Sequence, residues 1–336
     1  MDQKKNLTID DIARELGVSK TTVSRAISGK GRIGEATRLR VQEYIEKCNY
    51  RPSAAAKGLA ESRTYNIALV LPKSFISLDQ PHFRQNMSAI CEEAFQQDYN
   101  VLVCLSTDDT PEALLRTLDN RKVDGVILSR TVEHDAMVGI LSQRNIPFAT
   151  IGSLHADEQG LAVVEADHDQ VGGCREFALE FLKRGTGRVA VLGNDIHYIV
   201  NQSRQTGFLQ AAAELNIPEK DIALRFNLGD HRTCIRVVEE LLQQGFTRFI
   251  AMDDEVCLRV LGYLNALGKR IPENIQIVSM HDAPQLLTAI PPVSALEFNA
   301  YELGRAACRE LLNYLKGKPY EPKPLLGYRI HMRQST

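Results

Sequence analysis

Tryptophan is absent from the 336 residues, and no apolar run is long enough to cross a bilayer. The first thirty residues are charged and polar, without a basic stub leading into an apolar stretch, so a secretory leader is not expected. Seven cysteines (Cys48, Cys91, Cys104, Cys174, Cys234, Cys257, Cys308) form no CxxC pair. An odd set with mostly apolar neighbours reads as reduced thiols in a cytoplasmic protein. Common catalytic and nucleotide-binding signatures are missing too: no GxGxxG opening a helix after a strand, no GxxxxGK[ST], no HExxH, no GxSxG. His168, between Asp167 and Asp169, reads as part of an acidic turn at the positive end of a helix. Asp253 and Asp254 lack a third hard ligand at short spacing. Neither enzyme chemistry, a cofactor nor a metal is expected.

What is present begins with a charge imbalance hidden in a net of −2. Residues 1–63 carry 13 basic and 8 acidic side chains, the rest 27 and 34, so a head of +5 joins a body of −7. Such a head suits a polyanion. Within it, Thr8 is placed to cap a helix over Ile9 to Leu16, with Asp11 near the first amides and Gly17 as the stop. Ser19 caps a second, Lys20 to Ser28, whose Val23 and Ile27 repeat at i, i+4 toward Ile12 and Leu16. A third, Glu35 to Cys48, aligns Val41, Tyr44, Ile45 and Cys48, and Pro52 marks a break. The polar side of the second helix carries Lys20, Thr21, Thr22, Ser24 and Arg25, all hydrogen-bond donors. That is the chemistry of a helix laid in a DNA major groove.

From Tyr65 the pattern changes to short apolar runs alternating with helical periodicity: Ile67 to Leu71, Val101 to Leu105, Gly125 to Leu128, Phe148 to Ile151, Val189 to Leu192, Phe249 to Met252, Ile275 to Met280. This predicts an α/β body of parallel sheets, doubly wound in two lobes with a division near residues 163–167. Ligands bind beyond the carboxyl ends of such strands, so two facing lobes make a cleft.

The segment from Leu7 to Ser28, LTIDDIARELGVSKTTVSRAIS, resembles the signature of the LacI/GalR family of transcriptional regulators, and the likeness continues through Tyr50 to Leu59, YRPSAAAKGL. The resemblance implies a helix-turn-helix head (1–51), a hinge helix or linker (52–63) and a core like the periplasmic sugar-binding proteins. In that core, one lobe would take 64–165 and 299–322, the other 166–298 and 323–336. Lys20, Thr21 and Arg25 fall at the family's base-reading positions and Thr22 and Ser24 at its phosphate positions. Ala56 lies in the hinge contact, and Leu59 where the family wedges a leucine into the minor groove. The hinge stretch is too short for a stable isolated helix and contains Gly58, which suits folding only when paired on DNA. Ser53 and Gly34 depart from the family's usual Asn and Ser.

In the core the resemblance places Arg204 and Asp253 in an effector cleft, with Phe83 on the opposite wall. Ser129 and Arg130 follow the run Gly125 to Leu128 and join them at a strand's carboxyl end. Where the family has Gly-aromatic-Asp-Asp, this chain has Ser279-Met-His-Asp282, so His281 replaces a carboxylate. Imidazole both donates and accepts, which with Arg204 suits an anionic sugar phosphate or sugar acid, while Asp253 suits a neutral sugar. The expectation is a homodimer on a pseudo-palindromic double-stranded operator, a repressor controlled by a small-molecule effector, with no membrane partner. The alternatives are a catabolite-control type regulator served by a phosphorylated carrier protein, and a sugar-binding protein of the same core fold.

Overall fold

The computed structural model describes residues 7–28, 31–48, 50, 58, 61–73, 81–106 and 111–336, in two compact units divided after Thr64. The first holds α1 (Ile9–Leu16), α2 (Lys20–Ser28) and α3 (Glu35–Lys47). Thr8 and Asp11 form a reciprocal capping box, and Gly17 closes α1 in the left-handed region at φ 64°. Ser19 Oγ accepts from the Thr22 amide at 3.1 Å, so α2 is capped at its expected residue. Gly34 has no side chain to offer, and α3 starts without such a cap. Ile12, Ala13, Val23, Ala26 and Val41 are buried together, with Leu16, Ile27, Tyr44 and Ile45 around them. Each fully buried Val or Ile stabilises by roughly 1.5–3 kcal/mol, so three such side chains dominate this small core.

Among its described residues the second unit contains two six-stranded sheets. One runs β11 (Leu325–Leu326), β5 (Val164–His168), β4 (Phe148–Ile151), β3 (Gly125–Leu128), β1 (Asn66–Pro72), β2 (Asn100–Ser106), every neighbour parallel. The other runs β12 (Tyr328–His331), β10 (Ser294–Phe298), β9 (Gln276–Ser279), β8 (Phe246–Ala251), β6 (Arg188–Leu192), β7 (Ile222–Arg225), parallel except for β12 against β10. Both faces of each sheet are covered, which is why β3 and β4 are buried throughout. On the first sheet α4 (Pro81–Gln96) and α12 (Ala300–Leu315) cover one face, α5 (Glu112–Asp119) and α6 (Ala136–Gln143) the other. On the second, α7 (Gln170–Lys183) and α8 (Ile199–Glu214) oppose α9 (His231–Gln243) and α10 (Asp254–Ala266). A short α11 (Pro284–Leu287) precedes β10.

The chain crosses between sheets three times: after His168, after Phe298 and after Leu326. The first and third crossings lie a few residues beyond the expected 165/166 and 322/323. The reason is register: Val164, Glu165 and Ala166 pair with Ala149, Thr150 and Ile151 of β4, and Leu325 and Leu326 with Asp167 and His168, so both segments belong to the first sheet. Two glycines set helix spacing. A Cβ on Gly207 would lie 2.5 Å from the Val171 carbonyl oxygen, and one on Gly304 2.7 Å from that of Asn86, so α8 rests directly on α7 and α12 on α4.

Candidate functional site

On the head, Val23 and Ala26 turn α2 inward, leaving Lys20, Thr21, Ser24 and Arg25 exposed. Thr22 is half-buried and its hydroxyl shares a 2.8 Å hydrogen bond with Ser19. Lys20 Nζ donates to Asp10 of α1 at 2.8 Å, an exposed pair that a phosphate can displace. The Arg25 side chain lies over Gly31, whose Cβ would sit 3.1 Å from Arg25 Cδ. The donors therefore share one face of the helix. Ala56 and Leu59 lie outside the described residues.

In the second unit a cavity of about 680 Å³ opens between the two sheets, lined by Phe83, Ser129, Arg130, Arg204, Asp253 and His281 together. Ser129 and Arg130 follow β3, Asp253 follows β8 and His281 follows β9, so strand ends supply most of its polar groups. Arg204, on α8, is buried; its Nη1 donates to the Met252 carbonyl and its Nε to Gln170 at 3.3 Å. Asp253 caps α10, accepting from the Val256 amide at 2.8 Å and from Asn194 at 3.0 Å. Burial pushes its carboxyl up to about 6. Arg130 donates to the Tyr198 hydroxyl at 2.8 Å with its guanidinium over that ring, a cross-lobe contact. Beside it Val132 and Tyr198 form a β-bridge, with the Glu133 amide 2.8 Å from the His197 carbonyl oxygen.

His281 stands where a carboxylate was expected, yet a carboxylate is present next to it. Its Nδ1 lies 3.0 Å from Asp254, and although burial works to raise the Asp254 carboxyl, the His281 hydrogen bond and charge hold it below its usual range. Asp282, the other acid of that motif, is bound by both Arg333 terminal nitrogens instead. Asp169 caps α7 as the acidic turn led one to expect, accepting from the Gly172 amide at 2.8 Å, while His168 just before it belongs to the strand. It ends β5, and burial holds its imidazole down to about 4, with its ring 5.1 Å from that of Phe298. His82, next to Phe83 in the sequence, is pushed down to about 3, by burial first and then by His281.

Sequence reasoning missed His82, His168, Asn194, Tyr198 and Asp254 as lining residues. The strand-end rule that located Ser129 would have located His168 and Asn194, which follow β5 and β6 in the same way. Among the described residues, five buried side-chain atoms around this cavity have no hydrogen-bond partner: His82 Nδ1, Asn86 Oδ1, Ser129 Oγ, His168 Nε2 and Asn194 Oδ1. Buried polar atoms are seldom left so, and an unpaired group costs about 1–3 kcal/mol. Among charged residues the lining holds Asp167, Asp195, Asp230, Asp253, Asp254 and Glu255 against Arg130, Arg204 and Arg259. The lining thus combines many hydrogen-bonding groups with more acidic than basic side chains. Among the described residues no cluster of three His, Cys, Asp or Glu is arranged to hold a metal ion, and no helix is long and apolar enough to cross a membrane.

Residues 8–53 match the model of bacterial regulatory proteins of the lacI family, and residues 178–336 that of a periplasmic binding protein-like domain. The chain is 27% identical over 340 residues to catabolite control protein A of Streptococcus mutans serotype c (strain ATCC 700610 / UA159), covering all of both chains. Its fold is similar to that of the lac repressor dimer bound to operator and the anti-inducer ONPF, with a TM-score of 0.78, 21% identity and 99% of each chain covered. It is also similar to the transcriptional regulator CelR in its cellobiose complex, with a TM-score of 0.72, 23% identity, and 98% of this chain and all of that one covered.

Proposed function

The chain belongs to the LacI family of bacterial regulators, and from that premise we propose a homodimer that reads a pseudo-palindromic operator and adjusts its grip when a neutral sugar or sugar derivative fills the cleft. The observation that carries the ligand class is the set of five unpaired buried polar atoms around a cavity whose acids outnumber its bases. A sugar supplies hydroxyls that donate and accept in turn, and satisfies such a set. Asp254 already engages Nδ1 of His281, so this imidazole is tied to a carboxylate of the chain itself, which weakens the argument for a sugar phosphate or sugar acid.

In this reading Arg25, Lys20 and Thr21 take base edges, and Thr22 and Ser24 take phosphates. Ala56 and Leu59 act in paired hinges that fold against DNA and kink the operator's centre. In the core, Arg204, Asp253, His281, Ser129 and Arg130 bind hydroxyls while Phe83 supports the ring. An effector that prefers one lobe arrangement shifts the population by its differential affinity, and the lobes decide whether the hinges pair. The protein acts in the cytoplasm and performs no catalysis. A second reading, a catabolite-control type regulator with a phosphorylated carrier protein as co-regulator, is favoured by the name of its Streptococcus relative.

A thermal-shift screen of the full chain against sugars, sugar phosphates and sugar acids tests the proposal, because a bound ligand stabilises by RT ln(1 + [L]/Kd). A neutral sugar that raises Tm and alters operator binding supports it. Stabilisation only by anions overturns the ligand class, and a blank screen transfers weight to the carrier protein.

A further inference from the structure

We infer that residues 130–133 and 195–199 form a cross-lobe latch, a short two-stranded zipper built from the chain's own groups, which sets the lobe arrangement that operator binding answers to. It rests on the regulator reading above only for that output. Arg130 to Glu133 follow β3 of the first sheet, and Asp195 to Tyr198 lead from β6 of the second into α8. The Glu133 amide donates to the His197 carbonyl at 2.8 Å and the Ile199 amide to that of Thr131 at 3.3 Å, on either side of the antiparallel bridge between Val132 and Tyr198. Side chains repeat the pairing. Arg130 Nη1 donates to the Tyr198 hydroxyl at 2.8 Å, and Glu133 Oε2 lies 3.0 Å from His197 Nδ1, with His155 Nε2 3.8 Å from the other carboxyl oxygen.

Neither segment belongs to a sheet, yet both are held ready to pair. Asp135 Oδ1 takes the Met137 amide at 2.8 Å behind one segment; in the other, Asp195 Oδ1 takes the His197 amide at 2.9 Å and the Asp195 carbonyl accepts from Asn201 at 2.8 Å. Segments ordered in advance lose little entropy when they meet. Their position adds leverage. The three crossings that hinge the lobes leave from β5, β10 and β11, whereas β3 lies two strands from β5, and β6 three from β10. At a strand spacing of about 4.8 Å the latch sits roughly 10–15 Å out from the hinge strands, where a contact resists opening with a long arm. The exposed Glu133–His197 pair adds little on its own, so the backbone bonds and the Arg130–Tyr198 contact carry most of the hold. Because every bond joins atoms of the chain itself, the latch opposes opening with or without an effector. A ligand that prefers another lobe arrangement works against it, and the strength of the latch sets the population from which that ligand starts.

Two measurements on the full-length protein decide the matter, and neither needs an effector. Ile199 opens α8, where no earlier helical carbonyl serves its amide, and Glu133 lies outside every helix and sheet strand, so protection of either from hydrogen exchange reports the latch. In the wild type both amides are expected to exchange roughly tenfold or more slower than exposed loop amides; free exchange at both overturns the latch. Val132→Cys with Tyr198→Cys then gives a loosened and a locked state in one protein. Residues paired between two backbone bonds in this way stand about 4.5 Å apart at Cα, close enough for a disulfide. Oxidation is expected to join these two cysteines, identified by peptide mapping, with the wild type under the same oxidant as the control for native thiols such as the exposed Cys91. The reduced form, which lacks the Tyr198 hydroxyl, is expected to differ from the wild type by about fivefold or more in affinity for an operator recovered by in vitro selection, and oxidation to restore the wild-type value. A folded variant that fails to cross-link, or that binds the operator equally in both redox states, overturns the proposal. If the wild type itself binds no selected operator, the regulator reading fails instead, and exchange and cross-linking still decide whether the lobes are latched. If the double variant does not fold, exchange in the wild type decides.

Discussion

Arg204→Met separates a residue that holds the cleft together from one that merely decorates it. The guanidinium joins the turn before α10, through the Met252 carbonyl, to Gln170 at the start of α7, and both bonds are buried. Hydrogen bonds to a charged group contribute about 1.5–3 kcal/mol each, but methionine also removes the cost of burying a charge. The expected net loss is therefore roughly 2–3 kcal/mol rather than the sum of both bonds. For a body of this size that corresponds to a fall in Tm of about 4–12 °C. Effector-induced stabilisation should vanish with it, while the effector-free protein keeps its affinity for an operator recovered by in vitro selection. Differential scanning calorimetry and fluorescence anisotropy read the two quantities separately. Arg204→Lys should retain part of the stability and little of the effector response, because ammonium lacks the planar fork. A methionine variant that melts with the wild type and still answers the effector would refute both the structural and the binding role.

Arg25→Ala should weaken binding to the selected operator by roughly 1–3 kcal/mol while hardly changing binding to unrelated DNA; equal losses on both would make Arg25 a phosphate contact. Gly207→Ala should cost about 1–3 kcal/mol in urea denaturation, since its Cβ would meet the Val171 carbonyl oxygen at 2.5 Å and push α8 off α7; an unchanged midpoint would show that these helices do not touch. Stability should also fall in acid. His82 and His168, held at about 3 and 4 against 6.5 unfolded, contribute stability above pH 6.5 that is lost as pH drops through those values. Asp253, raised from 3.8 to about 6, acts oppositely, its contribution present below 3.8 and lost as pH rises through 6. Between pH 6 and 4 two imidazoles oppose one carboxyl, so urea midpoints should decline across that window; a flat or rising series would show the imidazoles to be solvated.

The head was legible residue by residue because its signals are local: Thr8, Ser19 and Gly17 act on amides and carbonyls within one turn. The central strands were legible for a different reason, since two covered faces leave an unbroken apolar run. β7, β10, β11 and β12 carry shorter or mixed patterns, such as IALR and YRIH, that only their sheet neighbours define. At the cleft the likeness to a family located Arg204, Asp253 and His281, but not what each one holds. Nothing in the spacing says that Asp253 would be spent on capping while its neighbour Asp254 takes the histidine, because helix phase and strand register decide that. His82 was hidden for the same reason, as its partner lies two hundred residues away in the chain.

The triple crossing has a consequence for how each copy is made. The first sheet is unfinished until Leu325 and Leu326 settle beside β5, whereas the head is complete within its first 64 residues. At about 5–20 residues per second of synthesis, the two events are separated by roughly ten to fifty seconds. The DNA reader, built from local contacts, folds early in that interval; the sensor waits for the last strands to emerge. Every newborn copy thus passes through a stage in which its head is finished and no cleft yet exists to hear an effector.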